Sequence, residues 1–130
     1  MSGTRTPCNL GDFIALLRAS PPGNRLVIAG PLHLVPNDVD SYRGYYEDLA
    51  ISFFVPPESY GLQTLTRAFL DTLESAIDKT FTGYKGGDYR MDADSNLWVS
   101  NYGACTHAAV LGVEIQRYSG TTYILTKMIS

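Results

Sequence analysis

The side chains with chemical potential are gathered in two aromatic-rich stretches. Ser41-Tyr-Arg-Gly-Tyr-Tyr-Glu-Asp48 sets one cation, Arg43, among three tyrosines and two carboxylates. Phe81 to Gly103 (FTGYKGGDYRMDADSNLWVSNYG) holds five aromatics including the only Trp, a Gly-Gly pair, two cations and three aspartates. Gly86-Gly87 lets backbone amides turn toward an anion, and Lys85 and Arg90 flank that turn with positive charge. Tyr84 and Tyr89 bracket it with ring faces on which a base can stack. In the first stretch the planar guanidinium of Arg43 suits a phosphate, with Tyr45 or Tyr46 packing the ligand. The candidate ligand-binding set is Tyr42, Arg43, Tyr46, Tyr84, Lys85, Gly86, Gly87, Tyr89 and Arg90. Plainer readings stand beside it: Arg43 clamped to Glu47 or Asp48, and Gly-Gly as a turn between solvated cations.

Other chemistries fail on spacing. Asp92-Ala-Asp94-Ser-Asn96 opens like a calcium loop, but Leu97 and Gly103 stand where an EF-hand needs its turn glycine and its bidentate Glu. Two Cys and two His without ligand spacing make no zinc site. Cys105-Thr-His107 could pair a nucleophile with a base, yet no helix N-terminus follows it and no orienting carboxylate lies near in sequence. No G-x-S-x-G, S-x-x-K, H-E-x-x-H, Walker or G-x-G-x-x-G pattern occurs. The expectation is therefore a binding protein without catalytic residues, metal or cofactor.

Composition narrows the partners. A chain of 130 residues has the length of one domain and buries enough surface to need no disulfide or metal. Ten Lys+Arg against 13 Asp+Glu give a charge of −3 and a pI near 5.2, with no basic run. Duplex nucleic acid is not an expected partner, because phosphate neutralisation drives that binding; a local pocket for one small anion is compatible. No segment approaches the ~20 apolar residues of a membrane span, and the N-terminus lacks the apolar core of a secretory signal. Cys8 and Cys105 are thus expected as free thiols in a reducing cytoplasm. Nine tyrosines supply contact area suited to interfaces and pockets as well as cores.

The elements that must position these groups follow from periodicity. Asn9 is a good N-cap before Leu10, Phe13, Ile14 and Leu17, and Pro21-Pro22 stops that helix. Arg25 to Ala29 reads as a strand, Gly30 to Ser41 with its two prolines as an ordered loop, and Leu49 to Phe54 as a strand. Gly61 to Asp78 carries Leu62, Leu65, Phe69, Leu73, Ala76 and Ile77 at helical spacing. Leu97 to Asn101 and Val110 to Tyr118 read as strands, the latter with Leu111, Val113 and Ile115 on one side. Ser119-Gly120 suits a two-residue hairpin turn into Thr121 to Ile129. The expected fold is α+β, with two helices packed on one face of a mainly antiparallel sheet of about five strands, in a single domain over residues 1–130. The last strand is expected at an edge, which a homo-oligomer would cover.

The segments DSYRGYYEDLAISF and FTGYKGGDYRMDADSNLWVSNYG, with VLGVEI, resemble a family of small uncharacterised bacteriophage and prophage proteins. The resemblance covers about half the chain and implies a viral accessory protein acting in the bacterial host cytoplasm. In that setting the site chemistry is analogous to that of anti-defence sponge proteins. These sequester a nucleotide-derived immune signal, of cyclic nucleotide or ADP-ribose type, commonly as homo-oligomers. The alternative is a protein-interaction module, an inhibitor of a host protein or a virion accessory protein.

Overall fold

Asn9 opens the first helix as its side-chain oxygen accepts the N–H of Asp12 at 2.8 Å, filling one of the donors that a helix start leaves open. The computed structural model describes residues 8–30, 32–42, 48–82, 86–100 and 108–128. In chain order these form α1 (Leu10–Arg18), β1 (Arg25–Ile28), β2 (Val35–Ser41), β3 (Leu49–Phe54), a 3-10 turn (Glu58–Gly61) and α2 (Thr66–Ala76). Then follow β4 (Thr80–Thr82), β5 (Asp88–Arg90), β6 (Leu97–Val99), β7 (Ala108–Gln116) and β8 (Thr121–Met128).

The fold is α+β, as expected, but its sheet is mixed and has six strands in the order β1-β8-β7-β6-β3-β2. β1·β8 and β3·β6 are parallel; β2·β3, β6·β7 and β7·β8 are antiparallel. A separate hairpin joins β4 and β5. Leu10, Phe13, Ile14 and Leu17 of α1 and Phe69, Leu73 and Ala76 of α2 share one core with Leu49, Ile51, Leu97, Val99, Val110 and Ile124 from the sheet. Both helices therefore pack on one sheet face. Each such Leu, Ile or Phe contributes roughly 1.5–3 kcal/mol relative to an exposed position. Alternation sends Ala50, Trp98 and Ala109 to the other face, where they cluster with Tyr42.

Four hydroxyl and amide groups fasten this arrangement beneath the sheet. The Ser20 and Thr122 hydroxyls lie 2.7 Å apart, and Asn24 Nδ2 donates to Thr122 Oγ1 at 3.1 Å. Thr66 Oγ1 donates to the Asn24 carbonyl at 3.0 Å, so the end of α1, the following turn, the start of α2 and β8 are tied at one buried point.

Several expectations are corrected. The segment read as a loop before Ser41 contains β2, because proline is tolerated on an edge strand where no ladder N–H is required. The register shifts between Pro36 and Asp38, leaving Asn37 bulged with its Oδ1 accepting from Ser52 Oγ at 2.7 Å. α2 begins at Thr66 rather than near Gly61, since residues 62–65 run beside β1 and the Thr64 carbonyl takes the Leu26 N–H at 2.8 Å. The central stretch holds the β4–β5 hairpin, which its short strands concealed. Leu111 falls in a bulge between Val110 and Gly112, so the alternation changes phase: Leu111 is exposed while Val113 packs on the core. Gln116 pairs with Thr121, making the connection a four-residue turn rather than Ser119-Gly120 alone. Of the strand expected over Leu97 to Asn101, β6 covers Leu97–Val99, and Asn101 lies outside the described residues.

β8 is not an edge. It lies between β1 and β7, so the need for a partner that an edge position implied does not arise there. The true edges, β1 and β2, curl toward each other: the Leu34 carbonyl, one residue before β2, accepts the Ile28 N–H of β1 at 2.9 Å. Thr64 reinforces the closure, its Oγ1 donating to the Pro36 carbonyl at 2.6 Å. The outward N–H groups of Val39 and Ser41 on β2 are taken by the carboxylates of Asp38 and Asp40, each at 2.8 Å.

Candidate functional site

The sequence-derived set is divided by the fold. Tyr42 is only 1% exposed and stacks on Trp98, with ring centroids 5.1 Å apart and planes 2° from parallel. Trp98 Nε1 donates to Asp48 Oδ2 at 2.8 Å, so this part of the first stretch is engaged in packing and offers no open ring face. Gly86 and Gly87 adopt φ of 90° and 85°, the left-handed region that glycine enters at no steric cost. Tyr89 faces Phe81 across the hairpin and packs against the main core. Arg90 Nη2 meets Asp78 Oδ1 at 3.2 Å, an exposed pair of little energetic weight. Arg43, Tyr46, Tyr84 and Lys85 lie outside the described residues.

A groove of about 610 Å³ opens elsewhere, along β1. Its floor is the outer face of the parallel β1–β8 pair. Arg25 and Val27 alternate outward from Leu26 and Ile28, and their register partners Thr121 and Tyr123 do the same beside the inward Thr122 and Ile124. One wall comes from Gly30, Leu32, His33 and Val35, the other from Tyr60 to Gln63. The Ile28–Leu34 and Leu26–Thr64 hydrogen bonds fix both walls to the β1 edge.

The groove has two chemically distinct ends. At one, Arg25 Nη2 donates to the Ser119 carbonyl and to Thr121 Oγ1, both at 3.2 Å, so the guanidinium is held beside the β7–β8 turn. At the other, His33 and Tyr60 stack with centroids 5.6 Å apart and planes inclined 22°. Tyr60 remains 70% exposed, and Leu32 and Leu62 stand exposed on the rim. Among the described residues that line the groove none is acidic, in a chain of net charge −3. An anion at the arginine and a planar ring on the tyrosine are the ligand features this surface accommodates.

Reactive groups are sparse. Burial, foremost, and the charge of Asp12 push the Cys8 thiol up to about 11, which suppresses the nucleophilic thiolate. Cys105 and His107 lie outside the described residues. Asp92, the first residue of the calcium-like run, accepts the Asp94 N–H at 2.9 Å within a tight turn. Among the described residues no three His, Cys, Asp or Glu side chains come together to hold a metal ion.

Sequence reasoning missed the groove because its floor is made by strands far apart in the chain. One signal was present: Leu32, Tyr60 and Leu62 are large side chains left exposed outside the α-helices and strands. Comparison with known proteins adds no identity. No protein-family model matches the chain, and neither a curated protein nor a solved structure does. No helix is long and apolar enough to cross a membrane among the described residues.

Proposed function

We propose that this protein is a non-catalytic binding protein that sequesters a nucleotide-derived small molecule in the β1 groove. The observation that carries this reading is the pairing of an exposed, His33-backed Tyr60 ring with Arg25 in one groove whose described lining lacks acidic residues. Base–aromatic stacking is worth ~1–3 kcal/mol, and the volume lies within the range usual for small-molecule sites. The resemblance to phage proteins supplies the biological role: removal of a nucleotide immune signal from the host cytoplasm. Binding of such a signal raises the melting temperature through linkage. Tyr60→Ala removes that shift while leaving the melting temperature of the free protein near wild type. The molecule returns chemically intact when the protein is denatured. Absence of any nucleotide-dependent shift at micromolar to millimolar concentrations, or release of a converted product, refutes the proposal.

A second reading follows from the rim. Leu32, Tyr60 and Leu62 are exposed together on the same groove, which suits an apolar peptide of a host protein. Stoichiometric recovery of one host protein by wild type, lost with Leu62→Asp, supports that reading over the first.

A further inference from the structure

The groove also carries information on the length of its ligand. We infer that it is built for a nucleoside diphosphate rather than a monophosphate or a free nucleoside, an inference that rests on the nucleotide reading above. Arg25 stands at the first residue of β1, and the Ile28–Leu34 bridge fixes His33 at the last. The Arg25–Leu65 bridge and the Leu26–Thr64 hydrogen bond run residues 62–65 antiparallel to β1, and the stacking of Tyr60 on His33 places that ring at the same far end. Three strand steps at ~3.3 Å each separate the ends by roughly 10 Å.

Arg25 cannot shorten that span by swinging toward the ring without losing its anchors. Its Nη2 serves both the Ser119 carbonyl and Thr121 Oγ1, which hold the guanidinium at the turn end. Donors on Nε and Nη1 make no hydrogen bond among the described residues, so they are available to an anion. A base stacked on Tyr60 carries its ribose and first phosphate along the floor, over Val27 and Tyr123. The first phosphate hangs directly on the ribose and falls short of the arginine. A second phosphate, one anhydride link further, reaches it.

Isothermal titration calorimetry with the adenosine, guanosine and uridine mono- and diphosphates tests this. For at least one base the diphosphate binds about tenfold or more tightly than the monophosphate, the increment expected of one added charge-assisted hydrogen bond. Arg25→Gln erases that difference and leaves monophosphate affinity within about twofold, whereas Tyr60→Ala weakens both members of the pair alike. A monophosphate that binds as tightly as its diphosphate, or a preference that survives Arg25→Gln, overturns the inference and leaves the nucleotide reading standing. If no member of the panel binds, the inference falls, and the nucleotide reading is decided separately by the thermal shift with cyclic and ADP-ribose-type nucleotides.

Discussion

Arg25 and Thr121 are register partners across the parallel β1–β8 pair, and the guanidinium donates to the threonine hydroxyl at 3.2 Å. The contact does little for stability, because the arginine is exposed, but it determines where the positive charge stands in the groove. Thr121→Val keeps the β-branched shape and removes the acceptor. It lowers stability by under about 1 kcal/mol and reduces the diphosphate preference several-fold, as read by calorimetry and thermal melting. A preference equal to wild type shows that the Ser119 carbonyl alone positions the guanidinium.

One residue along, Thr122 points to the opposite side and has a structural role. Its hydroxyl joins Ser20 and Asn24 in a fully buried cluster. Thr122→Val leaves those two partners short of a bond and costs about 1–3 kcal/mol in chemical denaturation, with nucleotide affinity unchanged. Denaturation curves that superimpose on wild type contradict the cluster's assigned role.

Trp98 closes the other face of the sheet. Trp98→Phe preserves ring stacking with Tyr42 but deletes the Nε1–H that serves the buried Asp48 carboxylate. Unfolding free energy falls by about 1–3 kcal/mol. Denaturation curves that superimpose on wild type contradict a structural role for that N–H.

β2 protects its own edge. Asp38 and Asp40 fold their carboxylates onto the outward N–H groups of Val39 and Ser41. Replacing both with Ala removes two charges and frees two strand donors, the condition under which edges pair with other chains. Light scattering after size exclusion then shows larger species than wild type at equal concentration. Identical profiles mean that the edge is protected by other means.

Cys8 gives a pH signature. Its thiol titrates near 9.0 in the ordinary state and near 11 in the fold. Because the folded pKa is the higher, the native state holds more protons between those values, and its contribution is complete below pH 9 and lost as pH rises through about 11. Cys8→Ala removes this dependence. The stability difference between wild type and the variant therefore shifts against wild type across that window, and an unchanged difference rules the linkage out.

Local signals sufficed for α1, β1 and β3, and for the existence of the β7–β8 hairpin though not for its turn or the phase of β7. They failed where tertiary context decides: Pro36 is acceptable only because β2 is an edge, and Leu111 looks inward until a bulge shifts the phase. Tyr42 resembled a ligand contact by composition, yet the residue that claims its ring is Trp98, far along the chain. The groove could not be read locally at all. Arg25 and Thr121 become neighbours only through pairing of β1 with β8, and Tyr60 meets His33 only once both loops are fixed to β1.

That pairing also bears on how the protein is made. β1 and its partner β8 are 96 residues apart, measured from Arg25 to Thr121, and β8 lies between β1 and β7 in the sheet. During synthesis at ~5–20 residues per second, β1 emerges from the ribosome several seconds before β8 exists to receive it. The nascent chain thus passes through an interval in which Leu26 and Ile28 lack their sheet partner, and the sheet cannot be completed before β8 emerges. A binding groove on that seam becomes competent only once β8 has been made and paired.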